Sequence, residues 1–104
     1  YNPILEPFLG IPLFPSSATA TQRYQNCSPR YTATSNAPAT IFFHGDLDFV
    51  VAPDQSSGMY AKLGTLSVDR KIINYPLVFH DWWTDAAKTA QTIEELKNWF
   101  IGHP

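Results

Sequence analysis

Asp48 and His80 are the residues of this chain best placed for acid–base chemistry. His44-Gly45-Asp46-Leu47-Asp48-Phe49-Val50-Val51 follows the apolar run Thr40-Ile41-Phe42-Phe43. His80 follows a second run, Lys71-Ile72-Ile73-Asn74-Tyr75, after a short loop. A carboxylate at a strand end can accept the ring N–H of a histidine, fix its tautomer and stabilise the imidazolium formed when the ring takes up a proton. Histidine suits that shuttle because it titrates near neutrality. In open α/β sheets the C-terminal edge of the strands is also where ligands bind. Asp48 and His80 therefore read as the acid and base of a nucleophilic triad. The competing reading makes Asp48 a helix cap or turn residue and His80 a packed loop residue beside Trp82 and Trp83.

The neighbouring groups have their own readings. Asp46 is the rival acid, but two residues along an extended chain it points to the opposite side from Asp48, which suits a turn or capping role. His44 is expected to be a satisfied structural histidine, too close in sequence to Asp48 to be its triad partner. His44, Asp46 and Asp48 do not make a calcium loop, since the required Gly and the later ligands are missing. A DxD sugar-nucleotide site would rest on two residues. No metal and no cofactor is expected. Cys27, with no His near it in sequence, reads as a buried structural thiol. Trp82 and Trp83 are candidates to bind substrate in an acyl or aromatic pocket, with packing of the loop on the last helix as the alternative. His103, at the chain end, is expected to have no role.

The elements that must position these groups follow from the pattern. Before residue 39 proline recurs at Pro3, Pro7, Pro12, Pro15, Pro29 and Pro38, each removing a backbone donor and restricting its predecessor. Residues 1–38 thus read as an irregular cap-like or connecting segment. One short helix is expected from about Ser17 to Asn26, capped by Ser16 or Ser17 and stopped before Ser28-Pro29. Residues 39–104 read as a βαβα unit with strands near 40–44 and 70–75 and helices near 53–63 and 85–101. The continuous apolar strands suit a parallel sheet covered on both faces. Pro53 fits the first turn of the first helix, Met59 and Leu63 share a face, and Gly64 is the expected stop. Pro76 ends the second strand. Thr84 is expected to cap the last helix, with Asp85 in its first turn. Ala86, Ala90, Ile93, Leu96 and Phe100 recur at helical spacing as a buried stripe, closed by Gly102. A helix joining two strands implies a parallel pair, and two such strands need more sheet beside them.

Size and charge bound the rest. A chain of 104 residues is one domain at most, with little surplus stability. A net charge of −2 gives no footprint for nucleic acid or an anionic membrane. No apolar run reaches the roughly 20 residues of a membrane span. The start at Tyr1-Asn2-Pro3-Ile4 has neither a signal-peptide pattern nor an initiator Met, which suggests a chain cut from something larger. The single cysteine forms no internal disulfide.

The stretch from His44 to Val51 with Gln55-Ser56 resembles the acid-bearing segment of α/β-hydrolases, above all esterases, acetyl esterases and prolyl-oligopeptidase-like peptidases. There the pattern is His-Gly, two variable residues, Asp, two more, Val, Pro, and a Gln-Ser pair on the next helix. Phe8-Leu9-Gly10, Cys27-Ser28-Pro29 and Ala37-Pro38 extend the likeness backwards, and Tyr75-Pro76 to His80 extends it forwards. The resemblance implies the C-terminal part of a serine hydrolase. Asp48 would orient His80, and an acyl-enzyme would form on a serine. Pro53 lies one place later than in the family pattern. Bulky Leu77-Val78-Phe79 stand where small residues are usual, and Asp81-Trp82-Trp83 where a glycine follows the histidine.

No Gly-x-Ser-x-Gly occurs, so none of Ser16, Ser17, Ser28, Ser35, Ser56, Ser57 or Ser67 sits in the turn that exposes a nucleophile. In this fold order the nucleophile precedes the acid. The expected partner is therefore an N-terminal part of the same hydrolase that carries the serine, and the isolated chain is expected to be inactive. The expected function is a carboxylesterase acting on small or carbohydrate-linked esters. The alternatives are part of a prolyl-oligopeptidase-like peptidase, and a non-catalytic remnant or assembly module whose exposed sheet edge pairs with another chain or a second copy.

Overall fold

The computed structural model describes residues 18–104. The prolines before residue 16, the expected caps Ser16 and Ser17, and Phe8-Leu9-Gly10 lie outside them. The chain divides into two compact units, Tyr1–Ala33 and Thr34–Pro104.

In the first unit α1 spans Ala18–Asn26, as the sequence predicts, and α2 is a single turn at Pro29–Thr32. Proline starts α2 because a first-turn residue has no intrahelical partner for its N–H in any case. Extended Ser28 is the hinge between them, and its carbonyl accepts from the N–H groups of Tyr31 and Thr32. Cys27 is exposed rather than buried, because it falls in the turn that ends α1.

The second unit is the expected βαβα. Strand β1 (Thr40–Gly45) and strand β2 (Arg70–Tyr75) pair in parallel, with Thr40 opposite Arg70 and Gly45 opposite Tyr75. Both strands thus end level, and the loops that carry Asp48 and His80 leave the same edge. Helix α3 (Asp54–Thr65) makes the crossover, with Pro53 capping it from just outside. Leu63 is the most buried side chain, and Val68 and Tyr75 are buried as well.

Gly64 does not stop α3. The helix runs on to Thr65, and the chain reverses at Ser67, whose φ is 58°. Gly64 serves instead as a notch. A Cβ there would lie 2.3 Å from an Arg70 guanidinium nitrogen. That guanidinium lies 3.8 Å above the Tyr60 ring and donates to the Tyr60 carbonyl at 2.8 Å. The glycine admits a cation–π contact that ties the helix end to the start of β2.

A 3-10 turn at Trp82–Thr84 leads into α4 (Ala86–Gly102). Asp85, not Thr84, is the cap, accepting from Lys88 N–H at 3.0 Å. Thr84 spends its hydroxyl on the Asp81 carbonyl. The expected buried stripe of α4 faces outward. Ala86 and Ala90 are exposed, Ile93 and Phe100 are 61% and 65% exposed, and Leu96 is half-buried. The face turned inward carries Lys88, Thr92, Glu95 and Trp99. Polar partners on β2 select it. The Tyr75 hydroxyl bonds Thr92, and Lys71 pairs with Glu95 at 2.8 Å. Thr92 Oγ1 donates to the Lys88 carbonyl, so the Tyr75 O–H is the donor to Thr92. Neither hydroxyl is left unsatisfied in the core.

His103 has a clear place. Its Nδ1 lies 2.9 Å from the Trp99 carbonyl and its Nε2 lies 2.6 Å from Asp69 Oδ2, while its ring stacks on Trp99 at 3.9 Å. A carbonyl and an ionised carboxylate only accept, so both contacts together require the imidazolium. Asp69 raises the His103 pKa, helped by the Trp99 carbonyl. The bond from His103 in turn lowers that of Asp69.

Candidate active site

Asp48 is held by the turn that leaves β1. Its N–H donates to the Gly45 carbonyl at 3.3 Å, which curls the chain back. Its Oδ1 accepts from Val50 N–H at 2.9 Å and Val51 N–H at 2.8 Å, and its Oδ2 from His80 Nδ1–H at 2.8 Å. The residue is 7% exposed. Burial pushes the carboxyl pKa up, but the bonds from Val51, His80 and Val50 and the attraction of His80 outweigh it, leaving it below the ordinary value. Asp48 is thus an ionised acceptor in a shielded place, which is what orienting an imidazole requires.

The loop after β2 delivers His80 by a few fixed contacts. Pro76 ends the ladder. Leu77 takes a φ of 59°, rare for a bulky residue, and its N–H is bound by Asp46 Oδ1 at 2.6 Å. Asp46 thus latches the histidine loop and is not a second acid. The Val78 carbonyl then accepts from Leu47 N–H at 3.0 Å. This brings the Val78 and Phe79 carbonyls across Gly45, where a Cβ would meet their oxygens at 2.3 and 2.5 Å. The glycine after His44 lets the two loops touch.

With Nδ1 committed to Asp48, His80 has Nε2 available on a side chain that is 43% exposed. That is the disposition of a general base: one nitrogen anchored, the other free to move a proton. The two candidate tryptophans separate. Trp82 packs on Phe43 and Tyr75 at centroid distances of 6.4 and 5.7 Å, while Trp83 stands edge-on to His80 at 5.7 Å and is largely exposed. Both line an open pocket of about 150 Å³ with Phe43, Gly45, Val51 and His80. Phe49 and Phe79, in contact at 5.9 Å, stand exposed on the two loops. The bulky residues before His80 therefore leave its ring bound to Asp48.

His44 is the satisfied, buried histidine that the sequence predicts, and it also touches the Asp48 carboxylate. Its Nε2 lies 2.8 Å from the Val51 carbonyl and 3.2 Å from Asp48 Oδ2, and its Nδ1 lies 2.5 Å from Ser56 Oγ. It is buried with both nitrogens engaged, so it has no free position for a proton in transit. The signal that could have found it is the pairing of His44 with Ser56 at the start of the crossover helix.

Comparison with known families matches residues 11–103 to the prolyl oligopeptidase family. The chain belongs to that family. The match spans both loops of the site, and the parallel βαβα unit agrees with the family's α/β-hydrolase fold. The chain is thus serine hydrolase-like in fold and family. Searches of curated proteins and of solved structures gave no match.

Proposed function

We propose that this chain supplies the acid and base of a serine hydrolase working through an acyl-enzyme, with Asp48 orienting His80 and the nucleophile carried by an N-terminal part of the same hydrolase. The observation that carries the reading is the Asp48–His80 bond with His80 Nε2 unengaged among the described residues. In the proposed cycle His80 Nε2 takes the proton of the serine hydroxyl as it attacks the acyl carbon. The same proton then passes to the leaving alcohol or amine. Water repeats the exchange, and Asp48 stays ionised throughout.

The aromatic wall beside His80 supports a carboxylesterase acting on small or carbohydrate-linked esters, with a flat or apolar group against Trp82 and Trp83. The family match favours a second reading, cleavage of peptide bonds by the same residues. Neither strand has a partner on its outer edge among the described residues. We assign an edge to the segment that brings the serine, and the rival occupant is a second copy of this chain.

The test joins the chain to its upstream partner and measures turnover of p-nitrophenyl esters and of peptide anilides. Asp48→Asn and His80→Ala should each reduce kcat by about 10⁴-fold with the fold unchanged. Wild-type rates in both variants would sink the assignment. Turnover of anilides alone would replace the esterase by the peptidase. Absence of turnover in the joined wild-type protein would leave the assembly module as the reading.

A further inference from the structure

We infer that His44 and Ser56 are positioning residues for Asp48, acting through the backbone of the turn that holds the acid. This rests on the hydrolase reading for its purpose, but not for its geometry. The Val51 carbonyl can only accept, so the bond at 2.8 Å places a proton on His44 Nε2. In the neutral ring Nδ1 is then an acceptor, and the Ser56 hydroxyl donates to it at 2.5 Å. Ser56 lies in the first turn of α3, His44 at the end of β1, and Val51 between them in sequence. The chain of bonds runs from the helix through the ring to the turn. The Val51 residue whose carbonyl is gripped by His44 presents its own N–H to Asp48 Oδ1.

One peptide segment is thus held from both sides. The His44 Nε2–H sits 3.2 Å from Asp48 Oδ2, so its positive end also faces the carboxylate. The titratable side chains facing Asp48 are His44 from β1 and His80 from the loop after β2. They divide the work. His80 is partly open and moves the proton, while His44 is buried and stays still.

The division predicts distinct signatures. In ¹⁵N spectra of the wild-type protein near neutral pH, His44 should show the Nε2–H tautomer with Nδ1 as acceptor. The Nδ1–H tautomer or an even mixture overturns the inference without any variant. His44→Leu removes both bonds, and His44→Gln can keep a donor toward Val51. The ¹³C titration of the Asp48 carboxyl should move up toward the usual range in His44→Leu and less in His44→Gln. In the joined enzyme kcat should fall by about 10- to 100-fold in His44→Leu with KM little changed, and partly recover in His44→Gln. Ser56→Ala should broaden the His44 ring signals and lower kcat less than His44→Leu does. An unmoved Asp48 titration in both His44 variants overturns the proposal and leaves the Asp48–His80 pair standing. If Asp48→Asn also leaves the His80 ring signals unchanged, it is the pair itself that fails.

Discussion

Gly45→Ala tests how the two loops of the site depend on each other. The added methyl would lie 2.3 Å from the Val78 oxygen, 2.5 Å from the Phe79 oxygen and 2.9 Å from the Val78 carbonyl carbon. These are backbone atoms and cannot swing aside as a side chain tip would. To reach ordinary separation the loop must retreat by about 1 Å. That retreat breaks or stretches the 3.0 Å bond from Leu47 N–H to the Val78 carbonyl, and it acts directly before His80. Passed on to the ring, it carries the 2.8 Å bond to Asp48 out of hydrogen-bonding range. Overpacking of this kind costs about 1–3 kcal/mol and the lost backbone bond about 1 kcal/mol, so a loss of roughly 2–4 kcal/mol is expected. If His80 is the base proposed above, misplacing it by about 1 Å should lower kcat of the joined hydrolase on the order of 100-fold. Urea unfolding gives the first figure. The loss of the low-field His80 Nδ1 proton signal reports the broken bond whether or not turnover is measured. A Gly45→Ala protein with wild-type stability and that signal intact would refute the reasoning.

Two further outcomes follow from polar contacts on α4. Thr92→Val should cost about 1–3 kcal/mol because it strands the buried Tyr75 hydroxyl, whereas Tyr75→Phe should cost only about 1 kcal/mol because Thr92 keeps its bond to Lys88. Equal losses in urea melts would contradict the donor assignment. The clasp of His103 on Asp69 should give a two-sided pH profile. His103 is raised by its bond to Asp69, so its contribution is complete below the ordinary histidine pKa and fades as pH rises through the raised value. Asp69 is lowered by the same bond, so its contribution is complete above the ordinary aspartate pKa and fades as pH falls through the lowered value. The difference in melting temperature between wild type and Asp69→Asn should therefore peak between these limits and shrink on both sides. A difference independent of pH would rule the clasp out.

The parts of this unit that a sequence displays well are those built from neighbouring residues. Thr40 to Phe43 and Ile72 to Tyr75 read as strands because apolar runs bounded by Gly45 and Pro76 leave little else. Asp48 and His80 could be named because strand ends, together with a family resemblance, place them. The missed features depend on partners that only the folded structure brings alongside. Gly64 looks like a helix stop until Arg70 is seen to fill the space beside it. The outward face of α4 has the more regular apolar spacing, yet Thr92 and Glu95 turn inward because Tyr75 and Lys71 await them. His103 looked idle because Asp69 is 34 residues away. His44 reads from the sequence as a satisfied structural histidine and is one, buried with both nitrogens engaged; what the sequence hides is that its partners include the turn that holds Asp48.

The supports of Asp48 differ in how far they travel. Its backbone donors, His44 and Ser56 all lie within residues 44–56, whereas His80 arrives from 32 residues further on, after the crossover has closed. The proposed acid, Asp48, is therefore a local device, complete once one strand end meets one helix start. The proposed base, His80, depends on the long loop closure between the strands, which carries the larger entropic cost. Loosening of β2 or its loop removes the base first and leaves the acid formed, so partial unfolding silences such a site before it dismantles it.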